Sequence, residues 1–460
     1  MPRWPVSLLA CFVPWLGCAA CAMAQSGAAG RGSELAVPRQ PDLLVVPAAV
    51  VSAAIDDCAS YLCQHIDEEG RFDYLVSIGD TGGVSTRSST GPEYNMLRHA
   101  GAIYALACYA QRTDRRMPSE IADADRPELP QRELDASANL VARPLPEAAL
   151  RAAGEFLLRQ IGSVPQQPED LLAVWSRPAI TGSRSPAKAK LGGAGLALVA
   201  LTRLQQLGLI DVHQETFAGL ARFVLFLQRP DGSFFPAYRP DLGRPEDDWS
   251  SLYYPGEAAL GLLMLHERQP DERWVASAVR ALTRLARSRS GLDEAEVPAD
   301  HWALLATQQL LSQPAISLAA DDRELLLEHA RQICRSILRS QRLDSSDLQG
   351  AFDEEGRTAP VATRLEGLLS ALAFLPPQDR GLRTDIDQAC HHGIRFLLRA
   401  QITQGPNRGG IRGAVPTSRD WKAQPTNAAA QTIRIDYVQH ALSALMQYEV
   451  RYHPEIRFVP

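Results

Sequence analysis

Histidine, tyrosine, arginine and carboxylate side chains recur ahead of apolar, Gly- and Ala-rich stretches in this chain. Two clusters join a titratable base to a cation: Tyr94-Asn-Met-Leu-Arg-His99, and Arg434-Ile-Asp-Tyr437 with His440 three residues on. Between them stand Trp249, Tyr253, Tyr254 and Glu257, then His301 with Trp302, then Arg364 with Glu366. This set suits sugar chemistry. Arginines such as Arg98, Arg364 and Arg434 hold a uronate carboxylate through paired N–H bonds, and a neighbouring His99, Tyr437 or His440 then removes the proton beside it, giving epimerisation or β-elimination. Trp249, Tyr253 and Trp302 offer faces for pyranose rings. Two carboxylates instead, Glu257 and Glu366, allow glycoside hydrolysis if they stand about 5 to 9.5 Å apart.

Each residue also has a plainer use. Arg364 with Glu366, or Arg434 with Asp436, can be an ion pair that ties helices together. Tyr253 and Tyr254 can be wall packing, His301 at a helix start can serve as its cap, and Asp300 before it is a plain N-cap residue. Charged side chains among apolar helices must be paired or face water, because burying one alone costs several kcal/mol. A wet cavity shared by these segments meets that requirement.

Helical periodicity supplies the elements that would build such a cavity. Six pairs of apolar helices recur along the chain, each pair joined by a loop rich in Gly, Asp and aromatics. The first runs over Val50 to Cys63 and resumes at Tyr94 to Leu106; the second pairs Pro146–Ile161 with Lys190–Leu204. The third pairs Glu215–Leu227 with Tyr253–His266, and the fourth Glu272–Ser288 with Asp300–Thr307. The fifth pairs Asp321–Ser340 with Thr363–Leu372, and the sixth Thr384–Ala400 with Ile433–Leu445. The second member of each pair is the more continuously apolar, which marks it as buried. Second helices should therefore form an inner wall and first helices an outer one, with the polar starts of the inner helices gathered at one mouth. No strand pattern competes, so the expected class is all-α: an (α/α)6 toroid of six hairpins spanning 50–460 as a single domain. The Pro-rich stretch Met117 to Pro146 cannot be a long helix and reads as an excursion on the rim.

The unit Phe223-Val-Leu-Phe-Leu-Gln228 with Asp231-Gly-Ser-Phe234 resembles the Gln- and aromatic-containing repeat of terpenoid cyclases and protein prenyltransferases. Echoes stand at Phe156 to Gln160, at Gln341 with Gly350-Ala-Phe352, and at Gln401 with Gly409-Gly-Ile-Arg412. This resemblance implies the toroid. It does not extend to activity: the Asp-x-Asp-Asp acid of protonating cyclases has no counterpart here, nor has the zinc cluster of the transferases. The Arg434-Ile-Asp-Tyr437 segment with His440, and Tyr94 to His99, are similar to segments of glucuronyl C5-epimerases, another toroid family. That similarity implies a uronate-directed site.

Residues 1–24 read as an export signal, with Arg3, an apolar stretch from Val6 to Leu16 and Ala22-Met-Ala24 before Gln25; 25–49 read as a flexible segment. The chain carries 47 basic and 53 acidic residues, net −6. Loss of Arg3 with the signal takes this to −7. Basic residues are scattered, which gives no footprint for nucleic acid, and no later segment is apolar enough to span a bilayer. The lysines are Lys188, Lys190 and Lys422. Five cysteines remain beyond the signal, Cys58, Cys63, Cys108, Cys334 and Cys390, an odd number with no assigned pairing. No Cys/His spacing resembles a structural zinc site, and no cofactor is expected. Gly79 to Gly83 and Gly192 to Gly195 follow no strand and make poor phosphate loops; Asp344 to Asp347 with Asp353 lacks calcium-loop spacing. The expectation is an exported enzyme acting on an acidic glycan by proton abstraction. Its alternatives are a glycoside hydrolase, a glycan- or protein-binding toroid without catalysis, and a terpenoid-cyclase-like enzyme.

Overall fold

A computed structural model describes residues 45–78, 84–88, 94–114, 147–182, 187–344, 347–415 and 428–454. The signal segment, most of the flexible segment, the rim excursion from Met117, Gly79 to Gly83 and Lys422 lie outside the described residues. From Leu44 onward the described chain clusters as one compact unit.

Among the described residues, twelve helices of 11 to 21 residues pair into six hairpins. The first members are α1 Ala48–Gln64, α3 Glu147–Arg159, α5 Gln214–Phe226, α7 Glu272–Arg289, α9 Ala320–Arg339 and α11 Arg380–Ala400. The second members are α2 Met96–Asp114, α4 Leu191–Gln206, α6 Tyr254–Arg268, α8 His301–Leu311, α10 Thr358–Phe374 and α12 Ile435–Tyr452. Each even-numbered helix packs on the next, and α12 returns to α2, closing an inner ring. The chain is an α/α toroid.

The amphipathicity of the helices sorts the layers. In α6 the whole run from Gly256 to Leu265 is buried, and in α4 nearly every residue from Leu191 to Leu204 is. Outer helices bury one stripe: α7 buries Trp274, Ala278, Ala281 and Leu282 and leaves Arg273, Arg280 and Arg287 toward solvent. Close approach of α4 and α6 depends on glycine. A Cβ on Gly195 would lie 2.6 Å from the Glu257 carbonyl, and one on Gly261 would lie 2.5 Å from the Gly195 carbonyl. Gly192 to Gly195 is therefore a packing device inside a helix, not a phosphate loop.

The repeated Gln and Gly do one job in several copies. Gln228 Nε2 donates to Ser277 O at 2.9 Å, Gln341 Nε2 to Ala389 O at 2.9 Å, and Gln401 Nε2 to Ala54 O at 2.9 Å. Each bond runs from the end of one outer helix to the backbone of the next, and the third joins the last outer helix to the first. Beside these glutamines, Gly232, Gly350 and Gly409 have φ of +89°, +92° and +88° and lie against the same neighbouring helices. Gln160 departs from the pattern and donates within its own turn, to Phe156 O at 3.3 Å.

Strands do occur, contrary to the sequence expectation, as short pieces in the loops that lead into inner helices. β1 Leu75–Ile78 pairs antiparallel with β2 Val84–Ser88 and with β8 Thr432–Arg434. β3 Ile161–Ser163 pairs with β4 Leu172–Val174, and β5 Ala189–Lys190 joins β6 Ala237–Arg239 and β7 Arg244–Glu246. At two to five residues each they are too short to leave a period in the sequence. Their effect is local: β8 ends where α12 begins and β5 where α4 begins, so the sheets fix the starts of inner helices. None of the five cysteines beyond the signal forms a disulfide, and no described helix is long and apolar enough to cross a membrane.

Candidate active site

The starts of the inner helices enclose a half-open cavity of about 410 Å³. All six contribute: Arg98 from α2, Leu196 from α4, Tyr254 and Glu257 from α6, His301 and Trp302 from α8, Arg364 from α10, and Asp436 and His440 from α12. Residues spread over most of the chain thus share one volume.

The first cluster divides at its last residue. Arg98 faces the cavity, its Nε 3.0 Å from Asp436 Oδ2, and it donates to the Tyr74 hydroxyl. His99 lies one residue on, about 100° around the helix, and points away from the cavity. It is fully buried beneath α3, its Nδ1 2.9 Å from the Tyr94 hydroxyl and its Nε2 3.1 Å from Ala153 O. A carbonyl only accepts, so Nε2 carries the proton and Tyr94 donates to Nδ1; Phe72 N in turn donates to the Tyr94 hydroxyl at 3.3 Å. Burial holds the imidazole down at about 4. The expectation of His99 as a catalytic base and Tyr94 as a sugar contact is corrected: both are satisfied core groups that dock α3 on α2.

The second cluster also divides. Asp436 and His440, one turn apart on α12, both line the cavity. Arg434 and Tyr437 do not belong to that lining. Arg434 Nε is 2.5 Å from Asp436 Oδ1, and its guanidinium lies 4.5 Å over the Tyr437 ring, which rests against Gly413. The plain ion-pair reading holds for Arg434 with Asp436. Burial opposes charge on Asp436, yet Arg434 and Arg98 outweigh it and keep the carboxyl below its ordinary range.

His440 and Glu366 form the central pair. His440 Nδ1 is 2.7 Å from Glu366 Oε2, and Glu366 is 3% exposed and stands behind the imidazole instead of lining the cavity. Burial opposes charge on His440, but Glu366 and Asp436 raise it above its usual value. Burial also lifts Glu366. The pair holds one proton strongly. Glu366 as a direct catalytic carboxylate is thus corrected to a partner of His440.

Across from it, His301 is 1% exposed, with no hydrogen-bond partner at either ring nitrogen. Its ring centroid is 5.5 Å from that of His440, edge to face, and 5.0 Å from that of Tyr253. Burial, helped by the neighbouring positive charges of His440 and Arg364, keeps it neutral. The helix cap expected of Asp300 is present: its Oδ1 accepts from Ala303 N at 3.1 Å, and its Oδ2 is 2.9 Å from Arg289 Nη2. That anchors the first turn carrying His301.

Glu257 is 5% exposed and its Oε2 has no partner. Burial, with Asp300 nearby, lifts its carboxyl to about 8. The absence of a side chain at Gly192 makes its room, since a Cβ there would be 2.0 Å from Glu257 Oε2. Trp302, Tyr253 and Tyr254 line the wall, whereas Trp249 stands outside it with its ring 5.7 Å from Tyr254. Gln439, Thr363 and Asn95 also line the cavity and were not singled out in sequence. Gln439 stands three residues after Asp436, a helical spacing that signals the shared face.

His301, Glu366 and His440 place their donor atoms within 4.8 Å of one another, close enough to gather around an ion. The 2.7 Å spacing of His440 Nδ1 and Glu366 Oε2 suits a shared proton better. Two ligands about 2.1 Å from a tetrahedral metal stand roughly 3.4 Å apart.

No protein-family model matches the chain, and no curated protein matches it in sequence. Solved structures do match in fold. They include D-mannose isomerase (TM-score 0.56, 10% identity, 88% of this chain and 98% of that one). Cellobiose 2-epimerase from Spirochaeta thermophila DSM 6192 matches with TM-score 0.54 and 15% identity over 90% and 99%. The α-1,6-mannanase GH76A from Salegentibacter sp. HEL1_6 matches with 0.50 and 11% over 88% and 99%. At such identities the toroid is what is shared.

Proposed function

We propose that this protein is a carbohydrate-active enzyme that moves a proton at a sugar carbon next to a carbonyl or carboxylate, with His301 as base and His440 as acid. One observation carries the reading: the His301 imidazole, without a hydrogen bond at either nitrogen, stands edge to face 5.5 Å from the His440 ring, whose Nδ1 is 2.7 Å from Glu366 Oε2. Burial thus favours the neutral form of the first, while the Glu366 carboxylate favours the charged form of the second. Such an opposed protonation state is what general acid and base catalysis needs at neutral pH. His301 takes the proton as the C–H bond breaks, and the electron pair moves into the adjacent C=O, giving an enolate. Arg98 and Arg364 line the same cavity and would stabilise the negative charge that grows on the oxygen. His440 gives its own proton to the carbon from the other side as the C=O re-forms, giving epimerisation. For isomerisation it protonates the enolate oxygen, the proton on His301 passes to the former carbonyl carbon, and His440 takes back the proton of the neighbouring hydroxyl as the new C=O forms. In lysis the enolate's electron pair forms a C=C as the β C–O bond breaks, and His440 protonates the departing oxygen. Solvent at the open mouth resets the two protons.

Other chains of this fold are a D-mannose isomerase and a cellobiose 2-epimerase, which supports the idea that the toroid accommodates such reactions. Hydrolysis is the second reading, favoured by Glu257 as a neutral acid. It needs an ionised carboxylate opposite, and Asp436 is already held by two arginines while Glu366 is held by His440. The open cavity with unpartnered His301 and Glu257 does not favour a closed, binding-only mouth. Its polar lining does not favour the dry cavity of a terpenoid-type cyclase. Export rests on residues 1–24, and sequencing the mature N-terminus near Gln25 tests it.

The test of the chemistry is isotope exchange in D2O with neutral aldoses, uronates and unsaturated oligosaccharides, read by NMR and by absorbance in the enoate band. Deuterium at the carbon next to the carbonyl or carboxylate is expected, lost about 100-fold or more in His301→Ala and His440→Ala. New reducing ends without carbon-bound deuterium would overturn the assignment in favour of hydrolysis.

A further inference from the structure

Arg364 is a cation without a carboxylate. It lines the cavity, half-buried, and donates one bond, from Nη1 to Phe352 O at 3.2 Å, with its guanidinium 5.4 Å from the Phe352 ring. Among the described residues no acid comes within ion-pair distance of it. The acid whose charge acts on it, Asp353, is held by Arg357 at 3.0 Å. A guanidinium has five N–H donors in a rigid fork, so most of this one's capacity is unused. The expected pairing of Arg364 with Glu366 does not form, because Glu366 turns inward to His440.

The rest of the lining supplies no compensating charge. Its ionised carboxylate, Asp436, is shared between Arg98 and Arg434. Glu366 and His440 hold a proton between them. Burial keeps Glu257 and His301 in their neutral forms. Lys190, ahead of α4, is a further half-buried cation whose field reaches Arg98. The cavity therefore carries surplus positive charge in a setting that water screens poorly, and burial pulls the Arg364 guanidinium below its ordinary value.

We infer that the sugar bound here carries a carboxylate, and that the Arg364 guanidinium is its anchor. This deepens, and rests on, the proton-transfer reading of the same cavity. Arg364 sits on the His301 side, near enough that its charge acts on that ring, so the acid group docks beside the base. The substrate class is a uronic acid or an oligosaccharide ending in one. Tyr253, against His301 and within reach of the Arg364 charge, is the wall its ring would pack on.

Calorimetric titration with D-glucuronate and D-galacturonate, against D-glucose and D-galactose, tests this apart from turnover. The wild type should bind the uronates about 10-fold or more tighter than the matched neutral sugars, the size of one charge-assisted bond. Arg364→Gln should erase that preference, bringing uronate and neutral sugar to equal affinity. Arg364→Lys, which keeps charge but not the fork, should retain part of it, and it carries the test should the Gln variant fail to fold. Equal binding of uronate and neutral sugar by the wild type, no binding of either, or a preference that survives both substitutions overturns the inference. Deuterium exchange into neutral sugars with no uronate preference sinks this inference and leaves the proton-transfer reading standing. Arg364-dependent uronate binding without exchange does the reverse.

Discussion

His440 Nδ1 meets Glu366 Oε2 at 2.7 Å across the seam between two neighbouring inner helices, and the carboxylate lies on the side of the ring away from the cavity. This leaves the other ring nitrogen to act on a ligand. The carboxylates of Glu366 and Asp436 overcome burial to hold His440 charged above its ordinary range.

Glu366→Gln keeps the shape and removes the charge. If His440 works as the acid, activity falls as pH rises through its raised pKa. Losing the carboxylate lowers that pKa, so the descending limb of the pH–rate profile should move to lower pH, with kcat at pH 7 reduced about 10-fold or more. An unmoved limb would assign the limb to another group.

The short contact between His440 and Glu366 also bears on metals. A proton shared at this spacing leaves no room for a cation between the two atoms, although His301 stands close enough to complete a set of three. Exhaustive chelation followed by assay should leave isotope exchange unchanged within about twofold, and added zinc should inhibit by competing with the proton for His440. Loss of exchange on chelation, restored by one divalent ion, would replace the acid and base roles with a metal-held carbonyl.

His99 and Arg98 are neighbours in sequence with opposite duties, so substitutions at them should separate. His99→Ala removes a buried ring held by Tyr94 and Ala153, leaving the Tyr94 hydroxyl and the Ala153 carbonyl short of a partner. A loss of about 2 to 4 kcal/mol in stability is expected, with kcat within a few-fold of wild type wherever the variant stays folded. Arg98→Ala should instead depress activity with a smaller change in unfolding. Equal losses of kcat in both would return His99 to the chemistry.

How far the sequence was legible follows from what each feature depends on. The helical period marks buried helices because it is local, and the Gln and Gly copies mark outer helix ends because they repeat. Rotation of a helix about its axis is another matter. Whether Arg98 or His99 meets the cavity depends on Phe72, Phe156 and Ala153 packing from other segments, and nothing local states that. The sequence places Glu366 on an inner helix, yet its partner His440 lies 74 residues away and turns the carboxylate behind the cavity wall. β8 pairs with β1, more than 350 residues away, and the other strands are too short to show a period.

Ring closure offers a stability test. Gln401 Nε2 donates to Ala54 O at 2.9 Å, and Gly409, at φ +88°, has its missing Cβ 1.9 Å from Asp57 O. Gln401→Ala should cost about 1 to 2 kcal/mol, one buried bond with its carbonyl left short. Gly409→Ala should cost more, since both the left-handed backbone and the contact with helix backbone resist a methyl group. Denaturant midpoints measure both, and a Gly409 variant as stable as wild type would show that the first and last outer helices are not locked there.

Glu257 provides a prediction whose sign is set by burial. Its carboxyl titrates at about 8 in the fold against an ordinary value of 4.5. Below about pH 4.5 both the folded and unfolded chains keep the proton, and this group adds no pH dependence. Between there and about pH 8 the unfolded chain releases it while the fold retains it, so stability declines as pH rises. Above that range both are ionised and the loss is complete, on the order of 3 to 5 kcal/mol at most. Glu257→Gln cannot ionise. Its stability relative to wild type should therefore grow between pH 5 and pH 8.5, by a few kcal/mol in denaturant titrations at the two values. A constant offset across that window would mean that Glu257 is ionised in the fold, and the carboxylate that hydrolysis requires would then be available in the cavity after all.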